Sequence, residues 1–145
     1  LKTKTKEKEK NKMKQINTVA ALILNDKNEI LCTQRAESKY DYISYKWEFP
    51  GGKVEAGETE EETLKRELEE ELQIEVDILD KFYQVEHTYE HFNLSMPVYL
   101  CKLKTNDLKL MVHTSIKWLK PEQMLTLDWA GADVPVAQKA YNELS

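Results

Sequence analysis

"GGKVEAGETEEETLKRELEEELQI", residues 51–74, runs from a glycine-rich loop into a helix that ends in acid. Thr59 with Glu62 is a T-x-x-E capping box, and Glu60 to Glu62 suit the positive N-terminal end of the helix dipole. Leu64, Leu68 and Leu72 recur every four residues as one core-facing stripe. The far end is electrostatically unfavourable. Glu67, Glu69, Glu70 and Glu71 fill the last two turns, where unpaired carbonyls are already negative and an acid costs roughly half a kcal/mol. Glu67 and Glu71, one turn apart, also repel each other. At ~100° per residue, Glu67, Glu70 and Glu71 share an arc about 100° wide beside the leucine stripe, so they border the body of the protein. An acidic helix is ordinarily a solvated face. Here the position of the acids and the adjacent glycine loop favour a hard divalent cation, which takes oxygen from a few carboxylates and from substrate phosphates.

Immediately upstream, "WEFPGGKVEAGE" (47–58) holds Pro50 and three of the chain's four glycines, a tightly bent backbone where something must approach closely. Before it, "INTVAALIL" (16–24) is apolar enough for a central strand, "NDKNE" (25–29) is turn chemistry, and "ILCTQR" (30–35) completes a hairpin. The polar, tyrosine-bearing segment 36–46 reads as an exposed loop. Downstream, 74–79, 81–89, 92–103 and 115–119 read as strands, a turn or helix begins at Pro121, and 133–144 reads as a closing helix. Strands mixed with two helices predict an α/β fold, an α/β/α sandwich around a mixed β-sheet.

Charge divides the chain unevenly. Residues 1–14 carry seven lysines and two glutamates, a net +5, which leaves −10 of the whole-chain −5 for residues 15–145. The first segment is expected to be a disordered lysine-rich tail, with Met13 resembling a natural start, and 15–145 a single domain. A strongly acidic body is a poor partner for polymeric nucleic acid, which is held through phosphates by Lys and Arg. It suits a small polyphosphate once cations screen it. No apolar run approaches the ~20 residues of a membrane span and no signal-peptide pattern is present, so a cytoplasmic protein, monomer or homodimer, is expected. Cys32 and Cys101 lie in apolar strand sequence and read as buried thiols. His87 and His91 fall in strand or turn sequence, where four residues span ~13 Å, too far for one zinc ion.

The stretch 51–74 resembles the Nudix box, G-x5-E-x7-R-E-U-x-E-E-x-G-U, with U a bulky aliphatic residue. Gly52, Glu58, Arg66, Glu67, Leu68, Glu70, Glu71 and Ile74 each occupy their motif position. Gln73 stands where the motif has a helix-ending glycine, commonly left-handed, and a non-glycine there costs roughly 1 kcal/mol. "WEFPGGK", "CTQRA" and "GADVPVA" extend the resemblance to the MutT-like and CTP pyrophosphohydrolase-like branch, which hydrolyses nucleoside triphosphates. The resemblance implies that Glu67, Glu70, Glu71 and the Gly51 carbonyl coordinate Mg²⁺ or Mn²⁺, with Glu58 in support. It implies that Arg66 orients a catalytic glutamate and that Glu67 is the base that activates water, releasing a nucleoside monophosphate and pyrophosphate. Arg66 has a second reading as the i±4 partner of Glu62 and Glu70. The further glutamate that such chains place six residues before a tryptophan is Val112 here, with Glu86 as a candidate substitute.

Arg35 falls where the branch places an arginine near the nucleotide, and reads equally as a strand-end charge. Phe49 suits either base contact or core packing. Asp133 matches the aspartate of the cytidine-triphosphate hydrolases; ionised, it only accepts hydrogen bonds, which suits the amino group of cytosine. It is equally an N-cap for the last helix. The expected activity is Mg²⁺-dependent hydrolysis of nucleoside triphosphates, modified or oxidised ones included, with a lean to cytidine-type bases. The rival readings are a Nudix-fold nucleotide sensor with little turnover and a hydrolase of another nucleoside diphosphate derivative.

Overall fold

The computed structural model describes residues 13–104 and 115–145. Val112 and most of the lysine-rich segment, residues 1–12, lie outside the described residues. The first strand, β1 (Lys14–Leu24), begins two residues earlier than the apolar run suggests. β2 (Ile30–Gln34), β3 (Trp47–Glu48) and β4 (Gly51–Lys53) follow, then α1 (Glu60–Leu72). The chain continues with β5 (Val76–Thr88), β6 (Phe92–Leu103) and β7 (Ser115–Leu119). Short 3₁₀ turns at Pro121–Thr126 and Gly131–Asp133 lead into α2 (Val134–Leu144).

The sheet runs β3-β2-β1-β6-β5, with β4 paired to β1 and β7 to β2. It is mixed: β1 and β6 are parallel and the other pairs antiparallel. Because side chains alternate along a strand, β1 serves two cores. Ala20 and Leu22 face one that includes Ile30, Val98, Met124, Val136 and Ala140, under α2. Val19, Ala21 and Ile23 face the other, with Leu64, Leu68 and Leu72 of α1. Each of those leucines is at most 1% exposed, a burial that contributes about 2 kcal/mol apiece. The two helices therefore cover opposite faces, the α/β/α sandwich the pattern predicts.

Two predicted strands, 74–79 and 81–89, are one. β5 runs unbroken through them and absorbs the polar "DK" at 80–81 as register shifts against β6 between Ile78 and Lys81 and between Lys81 and Tyr83. A bulge takes up extra residues without ending the ladder. The glycine stretch is also more regular than a loop. Gly52 and Gly51 pair with Val19 and Ala20 of β1, and the Ala21 amide donates to the Pro50 carbonyl at 2.8 Å. The capping box forms as read, with Thr59 Oγ1 accepting from the Glu62 amide and Glu62 Oε1 from the Thr59 amide, both at 3.1 Å. Gln73 ends α1 at φ 54°, left-handed, its amide donating to the Glu69 carbonyl. The chain thus keeps the stop that glycine would adopt more cheaply.

Candidate active site

Pairing β4 to β1 brings Gly52 under the acidic half of α1. A Cβ on Gly52 would fall on the Glu67 carboxyl, so the absent side chain is the space in which that carboxyl sits. Glu67 is held from the other side by Arg66, whose Nη1 lies 3.0 Å from Glu67 Oε1 and 3.2 Å from Glu70 Oε2. The same guanidinium grips Glu58 with two bonds, Nε to Oε2 at 2.7 Å and Nη2 to Oε1 at 2.9 Å. With Glu55 Oε1 3.7 Å from Nη2, Arg66 is thus a hub among four glutamates. Its partner on the N-terminal side is Glu58 and not Glu62, because Glu62 is engaged in the cap. The bidentate bond to Arg66 holds the Glu58 carboxyl down at about 2.

Glu71 is in the opposite condition. Burial first, then the charges of Glu67 and Glu48, push its carboxyl up to about 8. The neighbouring Glu67 carboxyl thus favours the protonated form of Glu71. The acids that oppose the dipole are therefore relieved in this protein partly by Arg66 and partly by protonation. Among the described residues no three Asp, Glu, His or Cys side chains already converge as a metal cage. The donor set is nonetheless hard oxygen, and it fits a divalent cation that replaces the proton on Glu71.

That chemistry sets a pH dependence. The folded chain holds the Glu71 proton to about 8, whereas a model glutamate releases it at 4.5. Its stabilising contribution is complete below 4.5 and is lost as pH rises through about 8. In chelator, Glu71→Gln is expected to be more stable than wild type at pH 8 by on the order of 2 kcal/mol, with little difference at pH 5. Urea unfolding at both pH values measures it. Equal stabilities at pH 8 would mean that Glu71 is not held protonated.

Glu71 also lines a cleft of about 440 Å³. Arg35, Phe49, Gly51 and Asp133, four of the residues singled out in the sequence, line the same cleft. Phe49 is buried and stacked on Trp129 at 4.6 Å between ring centroids, so it packs in the core and walls the cleft at once. Arg35 pairs with Glu48 at 3.2 Å. Asp133 is 4% exposed and its Oδ1 accepts the Phe49 amide at 3.0 Å. It stands at the N-cap position of α2, as read, but its side chain makes no cap hydrogen bond: the carboxyl is taken by a strand-end amide 84 residues away. Burial first, then the charge of Glu48, pushes the Asp133 carboxyl well above the usual range. Burial thus works against the ionised, acceptor-only form of the aspartate.

Not every candidate joins this cleft. Glu70 is turned outward, its side chain 59% exposed. Glu86, the candidate substitute ligand, is bonded by Ser95 Oγ at 2.8 Å and Gln84 Nε2 at 3.1 Å. It lines a neighbouring cleft with Glu58, not the one that holds Glu71. Sequence reasoning missed Glu48, Tyr89 and Phe92. Glu48 stands between buried Trp47 and Phe49, and the two-residue period would have placed it opposite them. Tyr89 and Phe92, cleft walls at the β5–β6 turn, carry no local signal.

Comparison with known proteins places this arrangement. Residues 14–140 match the NUDIX domain model, and the chain belongs to that family. It is a Nudix hydrolase of the MutT type. It is 33% identical over 128 residues to a CTP pyrophosphohydrolase of Escherichia coli K12, an alignment covering 87% of this chain and 91% of that protein. It is 36% identical over 84 residues to an 8-oxo-dGTP diphosphatase of the same organism, covering 58% of this chain and 64% of the relative. The crystal structure of a MutT protein from Methanosarcina mazei Go1 superposes with a TM-score of 0.81 at 27% identity, covering 92% of this chain and 98% of that one. Among the described residues no helix is long and apolar enough to cross a membrane.

Proposed function

We propose that the protein is a cytoplasmic, Mg²⁺-dependent pyrophosphohydrolase that converts nucleoside triphosphates, oxidised or modified ones included, to the monophosphate and pyrophosphate. The observation that carries this is the meeting, in one cleft, of a half-buried acid of the Nudix helix (Glu71) with a cation (Arg35) and a buried polar group (Asp133) fit to read a base. Nudix hydrolases generally use divalent metal ions. Glu67, Glu70, Glu71 and the Gly51 carbonyl would hold Mg²⁺ or Mn²⁺, with Glu58 fixing Arg66 behind them. When bound, the cation neutralises phosphate charge, aligns the nucleophile and lowers the pKa of water. The remaining work falls to the chain itself. Glu67, pinned by Arg66 at 3.0 Å, takes the proton from the attacking water. Arg35 offsets the charge of the polyphosphate, and closure of the glycine loop on β1 fixes the direction of attack.

Asp133 reads the base as a neutral acid. With Oδ1 accepting from Phe49, the other oxygen donates its proton and keeps a lone pair. That face pairs with the amino group and ring nitrogen of cytosine. It pairs equally with the N7–H and O6 of an 8-oxoguanine. The two substrate classes in the relatives' names thus meet one recognition chemistry, and the lean to cytidine follows the relative aligned over most of both chains. In Asp133→Asn the amide oxygen stays with Phe49 and the NH₂ group only donates, so the acceptor for the cytosine amino group is lost. The same acceptor serves the N7–H of 8-oxoguanine, so kcat/KM for CTP and for 8-oxo-dGTP is expected to fall about tenfold in parallel.

The deciding experiment is pyrophosphate release from a panel of triphosphates with Mg²⁺ and with chelator. Mg²⁺-dependent release sustains the proposal. Tight nucleotide binding without release from any triphosphate would replace it with the sensor reading.

A further inference from the structure

The segment 36–46, between β2 and β3, crosses the mouth of the cleft; Ala36, Glu37, Ser38 and Ile43 are part of its lining. At its base this strap is closed by backbone bonds, with the Arg35 amide donating to the Lys46 carbonyl at 2.9 Å. Ser44 ties it internally, its Oγ accepting from the Ser38 amide at 2.7 Å and donating to the Ser38 carbonyl at 2.9 Å. Its far end is fastened to the β5–β6 turn by aromatic rings. Tyr42 stacks on Tyr89 with centroids 5.4 Å apart and planes 16° apart. Tyr40 stacks on His91 at 4.7 Å, and Tyr42 Oη lies 2.9 Å from His91 Nδ1.

Tyr89 has a second attachment at its other end. Its hydroxyl accepts the Ala132 amide at 2.8 Å, one residue before Asp133. His87 packs edge-on against the ring at 4.4 Å, and its Nε2 lies 3.0 Å from where a Cβ on Gly131 would be. The ring has little room to tilt independently of the 130–133 segment. A displacement of the strap that moves the Tyr42 ring therefore bears on Tyr89, and through its hydroxyl on the backbone that carries Asp133.

We propose that Tyr89 is a positioning residue for base recognition, coupling the seating of the 36–46 strap over the cleft to the setting of Asp133 beneath it. The inference rests on the reading of this cleft as a nucleotide site. Chain segments far apart in sequence, 36–46 and 130–133, then move as one unit through one side chain. A nucleotide that draws the strap down is read by an Asp133 already held in place. One that seats the strap poorly meets a loosened reader. Discrimination among nucleotides then arises from how well each seats the strap.

The test uses the full chain and two variants, Tyr89→Phe and Tyr42→Ala. Tyr89→Phe keeps the stacked ring and loses the bond to Ala132. Tyr42→Ala keeps that bond and loses the stack. Without nucleotide, amide hydrogen exchange at Ala132 is expected to quicken about fivefold in Tyr89→Phe. It is also expected to quicken in Tyr42→Ala, whose substitution does not touch Ala132, while the Val98 amide in the central sheet is unchanged. With CTP and 8-oxo-dGTP, both variants are expected to raise KM about fivefold for either nucleotide, with kcat little changed. Unchanged Ala132 exchange in Tyr42→Ala overturns the coupling. So does a wild-type KM for both nucleotides in both variants. If the wild type hydrolyses no triphosphate, the functional reading fails on its own, and the exchange measurements still decide the coupling.

Discussion

Glu67→Gln is expected to lower kcat for triphosphate hydrolysis about a thousandfold, with KM within a few-fold of wild type. The substitution preserves the shape of a side chain that fits the space over Gly52 and faces Arg66 at 3.0 Å. What it removes is the charge that accepts a proton. The fold should barely notice, because the two bonds from Arg66 to Glu58 remain and the leucine stripe of α1 is untouched. Single-turnover pyrophosphate release, with nucleotide binding followed by calorimetry, separates chemistry from affinity. A kcat within tenfold of wild type would move the base elsewhere. A large rise in KM with unchanged kcat would recast Glu67 as a binding group.

The parts of the molecule legible from sequence are those whose determinants are local. The capping box, the leucine stripe and the acids at the wrong end of α1 lie within fifteen residues, and the helix forms where they put it. The left-handed end is also local: Gln73 takes the conformation its motif position demands although its side chain disfavours it. The strands of two and three residues at the glycine loop are illegible because neighbouring strands, not propensity, hold them. Arg66 shows the same division. Helical spacing offered Glu62 and Glu70; the strongest bonds go to Glu58, which helix periodicity does not reach. Asp133 is the sharpest case. Its sequence context says helix cap, but tertiary structure gives its carboxyl to the Phe49 amide and buries it, which favours the protonated form. A titration shifted by burial cannot be seen in residue types. The cation–nucleotide logic of the acidic helix was readable; the proton logic of the base reader was not.

The adjacent glycines of the loop should fail in opposite ways, which tests the geometry of the site apart from any assumption about its ligand. At Gly51 an added Cβ would run into the Val19 carbonyl and the Ala20 Cα, both backbone of β1. Neither atom can step aside without breaking the β4–β1 pairing, so Gly51→Ala is expected to cost about 3 kcal/mol of stability. At Gly52 the obstacle is the carboxyl end of Glu67, a flexible side chain that can rotate away. Gly52→Ala should therefore keep its stability within about 1 kcal/mol of wild type. Its activity should fall about a hundredfold, because the displaced carboxylate is the proton acceptor and a shift of about 1 Å is enough. Urea unfolding and turnover measured on both variants decide the matter. A stable, active Gly51→Ala would mean that β4 does not lie against β1 as described. A fully active Gly52→Ala would mean that Glu67 works from another rotamer, and the role of Arg66 in aiming it would fall with that result.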